Sequence, residues 1–244
     1  MTSGDYEYKT IKIRYSMNEA NNLQLPTQPP LVIADVSRCP SINFFNVDCI
    51  EFMKSKPDKC YDLAIVDPPY GLGKRTTDGG GTNSQIKFMN DIRRTNWDDN
   101  APSIEYFEQL FRVSKNQIIW GGNYFDLPPT RTMVCWEKMV AIPTMSQIEI
   151  AWTSFDSPAR IVKINNTDKE RFHPTQKPIK LYRWLLKEYA KQGDKILDTH
   201  GGSHTNAIAC EIEGFDLDIC EIDKEYFDAG VNAFNMHKRQ ARLF

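Results

Sequence analysis

Short apolar runs alternate with amphipathic segments along most of this chain, and turn residues separate them. Ile42–Val47 has the apolar content of a strand, Ile50–Lys54 turns helically, and Pro57-Asp58-Lys59 breaks the pattern before the run Tyr61–Val66. Strand, helix and strand in that order make one βαβ unit and predict a parallel sheet. Ile104–Arg112 is amphipathic, and Gln117–Trp120 is a short strand ended by Gly121-Gly122. Met133–Trp136 and Ile148–Trp152 read as two further strands, with Lys138–Ser146 connecting them. The helix Ile179–Ala190 puts Leu181, Trp184, Leu185 and Tyr189 on one face, with Pro178 at its first turn and Gly193 as its stop. Strand Lys195–Leu197, helix Thr205–Glu213 and strand Phe215–Cys220 follow.

Three stretches fall outside this rhythm. Residues 1–40 form an N-terminal extension with a strand signal at Ile11-Lys12-Ile13, then a connection through Pro26, Pro29 and Pro30. Residues 71–96 are rich in Gly, Thr, Asn and basic side chains around Gly79-Gly80-Gly81, too polar to pack a core, and read as a long surface loop of the kind that is either functional or disordered. Arg160–Phe172 is polar as well. Trp120, Trp136 and Trp152 are expected in the core. Gly122-Asn123-Tyr124-Phe125 either borders a base pocket or packs at a strand end.

A chain of 244 residues, 41% hydrophobic and 25% charged, can bury one large core. Its net charge of -2 excludes a uniformly basic nucleic-acid binder but not a local basic cleft, for which Lys74, Arg75, Arg93 and Arg94 are candidates. No apolar stretch has signal-peptide or bilayer-spanning character, so the expectation is a cytoplasmic protein with no membrane partner. The six cysteines lack CxxC spacing and neighbouring histidines, which argues against a metal site and a disulfide framework and suggests small buried hydrophobes.

Chemistry concentrates at two strand ends. Asp67-Pro68-Pro69-Tyr70 closes the apolar run Leu63–Val66, and two prolines cannot continue a central strand. A carboxylate, a rigid backbone and an aromatic ring are thereby set where open α/β sheets bind ligands. Taken alone, the tetrapeptide also reads as a strand-ending turn. The second end is Leu197-Asp198-Thr199-His200-Gly201-Gly202-Ser203, a glycine loop between strand and helix. It lacks the G-x-G-x-x-G spacing of a pyrophosphate site, and Asp198 would repel phosphate. Glu221 follows about twenty residues later, where an acid takes ribose hydroxyls. A ribose and an anion-averse loop suggest a nucleoside cofactor bearing positive charge, and S-adenosylmethionine fits.

Asp67–Tyr70, then His173-Pro174-Thr175-Gln176-Lys177-Pro178, then Leu197–Ser203 together resemble the β-class amino-methylating (N6-adenine or N4-cytosine) DNA methyltransferases, in small phage or restriction-modification form. The resemblance spans roughly residues 41–230, with the catalytic motif ahead of the cofactor motif. It implies a Rossmann-like α/β methyltransferase fold with a mixed, mostly parallel, seven-stranded sheet, helices on both faces and an antiparallel strand at the end. Residues 41–244 would be this domain, with inserted or target-recognition regions at about 71–100 and 153–172.

Site roles follow from the resemblance, residue by residue. Asp67, Pro68, Pro69 and Tyr70 would be catalytic. Asp48 and its neighbour Cys49, Glu221 and Ile222 would meet the adenosine of S-adenosylmethionine; Asp198, Thr199, His200, Gly201, Gly202 and Ser203 would form its loop. His173, Thr175 and Lys177 would close over the methionine end, Lys177 facing its carboxylate. Where the family carries an aromatic residue and a Gly-x-Gly pattern, this chain has His200 and Gly202-Ser203-His204. Asp67 and the Pro68 carbonyl would accept the two N–H bonds of a base amine, with Tyr70 stacked on a base flipped out of double-stranded DNA. Asp at the first motif position implies N6 of adenine, where Ser would imply N4 of cytosine. A second copy of the chain and a cognate restriction endonuclease are the further partners the resemblance brings. Competing readings are an N4-cytosine or RNA methyltransferase and a non-catalytic DNA-binding relative.

Overall fold

The computed structural model describes residues 39–72, 100–139, 146–165 and 176–241, all within the unit Asp35–Phe244. The strand expected at Ile11–Ile13 and the candidates Lys74, Arg75, Arg93, Arg94, His173 and Thr175 lie outside the described residues.

Tyr61–Val66 forms β2, at the heart of the sheet, because its apolar run is buried on both faces. The period of two is explicit: Leu63 and Ile65 enter one core, Ala64 and Val66 the other. The first core receives the helices Ile179–Tyr189 (α3), Thr205–Glu213 (α4) and Lys224–Ala241 (α5). The second receives Cys49–Lys54 (α1) and Ile104–Val113 (α2). α2 starts at Ser103, whose Oγ accepts the Tyr106 amide, and buries Tyr106, Leu110 and Val113 at helical spacing. Its C-terminal carbonyls are satisfied in part by Lys59, whose Nζ donates to Phe111 O at 2.6 Å and Ser114 O at 3.0 Å.

The remaining strands are Ile42–Phe45 (β1), Ser114–Trp120 (β3), Met133–Glu137 (β4), Ile148–Thr153 (β5), Arg160–Lys163 (β6), Lys195–Asp198 (β7) and Asp216–Cys220 (β8). Their order is β1-β8-β7-β2-β3-β5-β4-β6. The first five are mutually parallel; β5 is antiparallel to β3 and β4, and β6 runs parallel to β4. The sheet is thus mixed, mostly parallel and covered on both faces, as expected, with two corrections. Among the described residues it has eight strands rather than seven, the extra one being β6 inside the segment read as polar. The antiparallel strand is internal, because β4 and β6 continue the sheet beyond it.

Trp120, Trp136 and Trp152 are core residues. Pro178 caps α3 rather than occupying its first turn. Of the six cysteines only Cys210 and Cys220 are buried, so the expectation of small core residues fails for Cys39, which is exposed, and for the half-buried Cys49, Cys60 and Cys135. The sequence reading missed α5, although Phe227, Val231 and Phe234 mark a helical stripe and Phe234 is buried. No described helix is long and apolar enough to cross a membrane.

Candidate active site

Four neighbouring parallel strands deliver four acids to one edge. In sheet order β1, β8, β7 and β2 are followed or ended by Asp48, Glu221, Asp198 and Asp67. Three strand spacings of about 4.8 Å make that row roughly 14 Å long, room for a nucleoside with an amino-acid arm. The prolines after β2, the cap of α1 and the glycine loop after β7 turn each chain at this same edge.

At one end, Asp48 is the N-cap of α1, its Oδ1 accepting from the amides of Ile50 (2.9 Å) and Glu51 (3.0 Å). Cys49, the first residue of that helix, has a thiol pushed up to about 12 by burial and by Asp48, and stays protonated. Glu221 accepts from the Gly202 amide at Oε2 and the Asp223 amide at Oε1, both at 2.8 Å. It therefore fastens the glycine loop to β8, helped by the Gly201 amide donating to Cys220 O at 2.7 Å. Burial pushes the Glu221 carboxyl above the usual range against these amides. Ile222 is 68% exposed beside it, an apolar surface with no core to join.

Asp198 is buried at the end of β7. Its Oδ1 accepts from the His200 amide at 3.1 Å and its Oδ2 from Asn206 Nδ2 at 3.0 Å. Burial raises it to about 7, with the bonds to Asn206 and His200 opposing. Thr199 Oγ1 meets the Tyr106 hydroxyl at 2.7 Å and His200 Nδ1 at 2.9 Å. Burial lowers the His200 imidazole to about 4, so the loop carries a neutral ring. Ser203 Oγ lies 2.7 Å from Thr205 Oγ1 at the start of α4.

At the other end, Asp67 is gripped from two sides. The Tyr70 hydroxyl donates to its Oδ1 at 2.8 Å, and Lys177 Nζ to its Oδ2 at 2.5 Å. Lys177, 3% exposed, also lies 3.1 Å from Glu149 Oε2, and Lys138 Nζ is 2.5 Å from Glu149 Oε1. Lys138, Glu149, Lys177 and Asp67 thus form a chain of alternating charge that sums to zero. Burial pulls the Lys177 ammonium down, but Asp67 and Glu149 together hold it above the ordinary lysine value. Burial pushes Glu149 up and the two lysines overcome it, bringing it to about 2. Burial, joined by Glu149, pushes Asp67 above the usual carboxylate range, with Lys177 and Tyr70 opposing. Lys177 therefore aims at Asp67 and Glu149, where the sequence reading directed it to a ligand carboxylate.

Pro68 is buried directly behind Asp67, and Pro69 is half-buried. The Tyr70 ring stacks on Tyr124, centroids 5.1 Å apart and planes at 22°, with Phe125 edge-on at 6.2 Å. The sequence reading passed over Glu149, Lys138, Tyr106 and Asn206. Glu149 alone had left a mark, as the one charged residue in the strand Ile148–Thr153.

The carboxylate row fits a cationic nucleoside better than a phosphate: its acids would repel phosphate, and Lys177, the cation in contact with Asp67, is already shared by two carboxylates. Comparison with known proteins agrees in outline. A family model described as DNA methylase matches residues 119–232, taking in Lys177, the glycine loop and Glu221. The type II methyltransferase M2.MboI of Moraxella bovis is 25% identical over 219 residues, 69% of this chain and 78% of that protein. The type II methyltransferase M.HpaI of Haemophilus parainfluenzae is 22% identical over 237 residues, 77% of this chain and 74% of that protein. In structure, the cytosine-N4-specific PvuII DNA methyltransferase superposes with a TM-score of 0.55 over 81% of this chain and 89% of its own, at 15% identity.

Proposed function

We propose that this chain, similar over residues 119–232 to a DNA methylase family model and along most of its length to type II methyltransferases, transfers a methyl group from S-adenosylmethionine to N6 of adenine in double-stranded DNA. The observation that carries this reading is Asp67 at the end of β2, held by Tyr70 and Lys177 one strand away from the Asp198 loop.

In this reading Asp48 and Glu221 receive the adenosine of the cofactor, Ile222 covers its base, and the loop from Asp198 to Ser203 borders its amino-acid arm. Bound there, S-adenosylmethionine supplies an electrophilic methyl on a sulfonium, a charge that the carboxylate row favours. The chain's own work is on the amine. An adenine amine is a poor nucleophile because its lone pair is delocalised into the ring. Asp67 and the Pro68 carbonyl accept its two N–H bonds, which draws the nitrogen toward tetrahedral geometry and frees the lone pair for attack. Lys177 and Tyr70 fix the carboxylate that does this, so little reorganisation is left for the reacting complex. Tyr70 stacks on the base, which must leave the helix because its amine is otherwise paired.

Adenine rather than cytosine rests on Asp67 as the first residue of its motif. The purified chain is incubated with labelled S-adenosylmethionine and unmethylated duplex DNA, and the DNA is digested to nucleosides. N6-methyldeoxyadenosine is the expected product, absent with Asp67→Ala although that variant still binds cofactor. N4-methyldeoxycytidine would replace adenine by cytosine; transfer by Asp67→Ala at the native rate would remove Asp67 from the reaction.

A further inference from the structure

We infer that Tyr124 is a positioning residue for the target base: it occupies the stacking face of Tyr70 and becomes the second wall of a base sandwich. The inference rests on the reading of Asp67–Tyr70 as the amine-methylating site.

Tyr70 has few ways to receive a base. A Cβ on Gly121 would fall 2.2 Å from its Cε1 and 2.5 Å from its Cδ1, so the ring lies directly on the Gly121 backbone. A face of the ring is covered by Tyr124, near-parallel at 5.1 Å. A planar base between two rings needs them about 7 Å apart, twice a carbon contact distance, so Tyr124 must give way by roughly 2 Å to admit one. The local structure suits this. Tyr124 ends the single 3-10 turn Gly122–Tyr124, which follows Gly121 in the left-handed region (φ 70°). Its side chain belongs to neither core, and at 48% exposure it is an aromatic ring held over Tyr70 at the expense of contact with water. The rest of the wall is aromatic too: Phe125 is edge-on to Tyr70, and Phe107 lies 5.3 Å from Phe125.

A base sliding between Tyr70 and Tyr124 exchanges one ring stack for two, and its amine edge stays toward Asp67. Every base has a π-face, so such a sandwich holds the base while Asp67 and Pro68 select the amine.

The test uses the full chain with S-adenosylmethionine and unmethylated duplex DNA. Tyr124→Ala and Tyr124→Leu are expected to lower kcat/KM for DNA by about five- to 150-fold, the range for losing one base–aromatic stack. Tyr124→Phe and Tyr124→Trp should stay within about threefold of native, because a ring suffices. Cofactor affinity by calorimetry and the thermal midpoint should not move. Native rates in Tyr124→Leu, or a loss in Tyr124→Phe equal to that in Tyr124→Ala, would overturn the inference while leaving the proposed reaction intact. A native chain that binds cofactor and methylates no DNA would instead overturn the reaction, and the inference with it.

Discussion

The ammonium of Lys177 lies 2.5 Å from Oδ2 of Asp67, across 110 residues of sequence, and the same ammonium lies 3.1 Å from Glu149. A buried lysine shared by two carboxylates makes the protonation state of Asp67 depend on residues remote from it in the chain. Burial pushes Asp67 up, Glu149 adds to this, and Lys177 is the main opposing charge. In the proposed reaction Asp67 acts ionised, so the rate should fall on the acid side at a pH above the ordinary carboxylate range. Lys177→Met removes the opposing cation and should move that limb to higher pH, with lower kcat throughout. Glu149→Gln removes an anion and should move it to lower pH. Breaking a buried pair costs about 3–5 kcal/mol, so Lys177→Met should also melt earlier. Rate profiles over pH for the three proteins decide; a limb displaced in the same direction by both substitutions would contradict the charge chain.

Gly121 is the second point at which the site depends on backbone. Its φ of 70° costs a side-chain-bearing residue about 1 kcal/mol, and a Cβ would strike Tyr70 at 2.2 Å. Gly121→Ala should therefore displace the Tyr70 ring, reducing DNA methylation more than tenfold, while the distant Glu221 end binds cofactor at close to native affinity. Calorimetry with S-adenosylmethionine beside a methylation assay separates the two, and equal losses in both would place Gly121 in the general fold.

Much of this is legible in the sequence alone. Apolar period and length located the strands and most helices, because burial on one or two faces leaves its pattern in the sequence. The Asp67 and Asp198 strand ends were legible because proline and glycine constrain the backbone whatever surrounds them. What sequence could not carry was pairing across distance. The internal antiparallel β5, the partner of Lys177 and the stacking of Tyr124 on Tyr70 each join segments far apart in the chain, and no local pattern names the partner. β6 was missed because, as the sheet's last strand, three of its four residues are exposed, so Arg160–Lys163 lacks an apolar run.

Glu221 supports the loop as well as serving, in the proposed function, the cofactor ribose. Its two oxygens accept the amides of Gly202 and Asp223, both at 2.8 Å. Glu221→Ala leaves those amides to water and removes the proposed ribose acceptor, so cofactor affinity should fall at least tenfold, about 1.4 kcal/mol. Glu221→Gln keeps one acceptor oxygen and should fall between native and Ala. Calorimetric titration with S-adenosylmethionine measures all three, and an unaltered affinity in Glu221→Ala would separate this acid from the cofactor.

His204 tests the family's Gly-x-Gly from the opposite direction. It holds a left-handed conformation, φ 53°, at the start of α4, at the position where the resemblance read from the sequence implies glycine. The imidazole is 1% exposed, packed on Phe44 at 5.1 Å and Phe227 at 5.8 Å, and neither ring nitrogen has a hydrogen-bond partner among the described residues. The ring fills the space left by Gly201 and Gly230, whose added Cβ atoms would fall within 2.5 Å of it. Burial lowers the ring to about 4. The unfolded chain takes up this proton near pH 6.5 and the folded chain only near pH 4, so the contribution of neutral His204 is whole above about 6.5 and is lost as pH falls to about 4. At about 1.4 kcal/mol per pH unit, the full span is about 3 kcal/mol. His204→Asn tolerates the backbone but leaves a cavity and does not titrate. It should be less stable at pH 7.5, yet lose less further stability on going to pH 4.5 than the native protein does. Urea unfolding at the two values reads both effects, and a native loss no larger than that of His204→Asn would mean that the ring is already solvated in the fold.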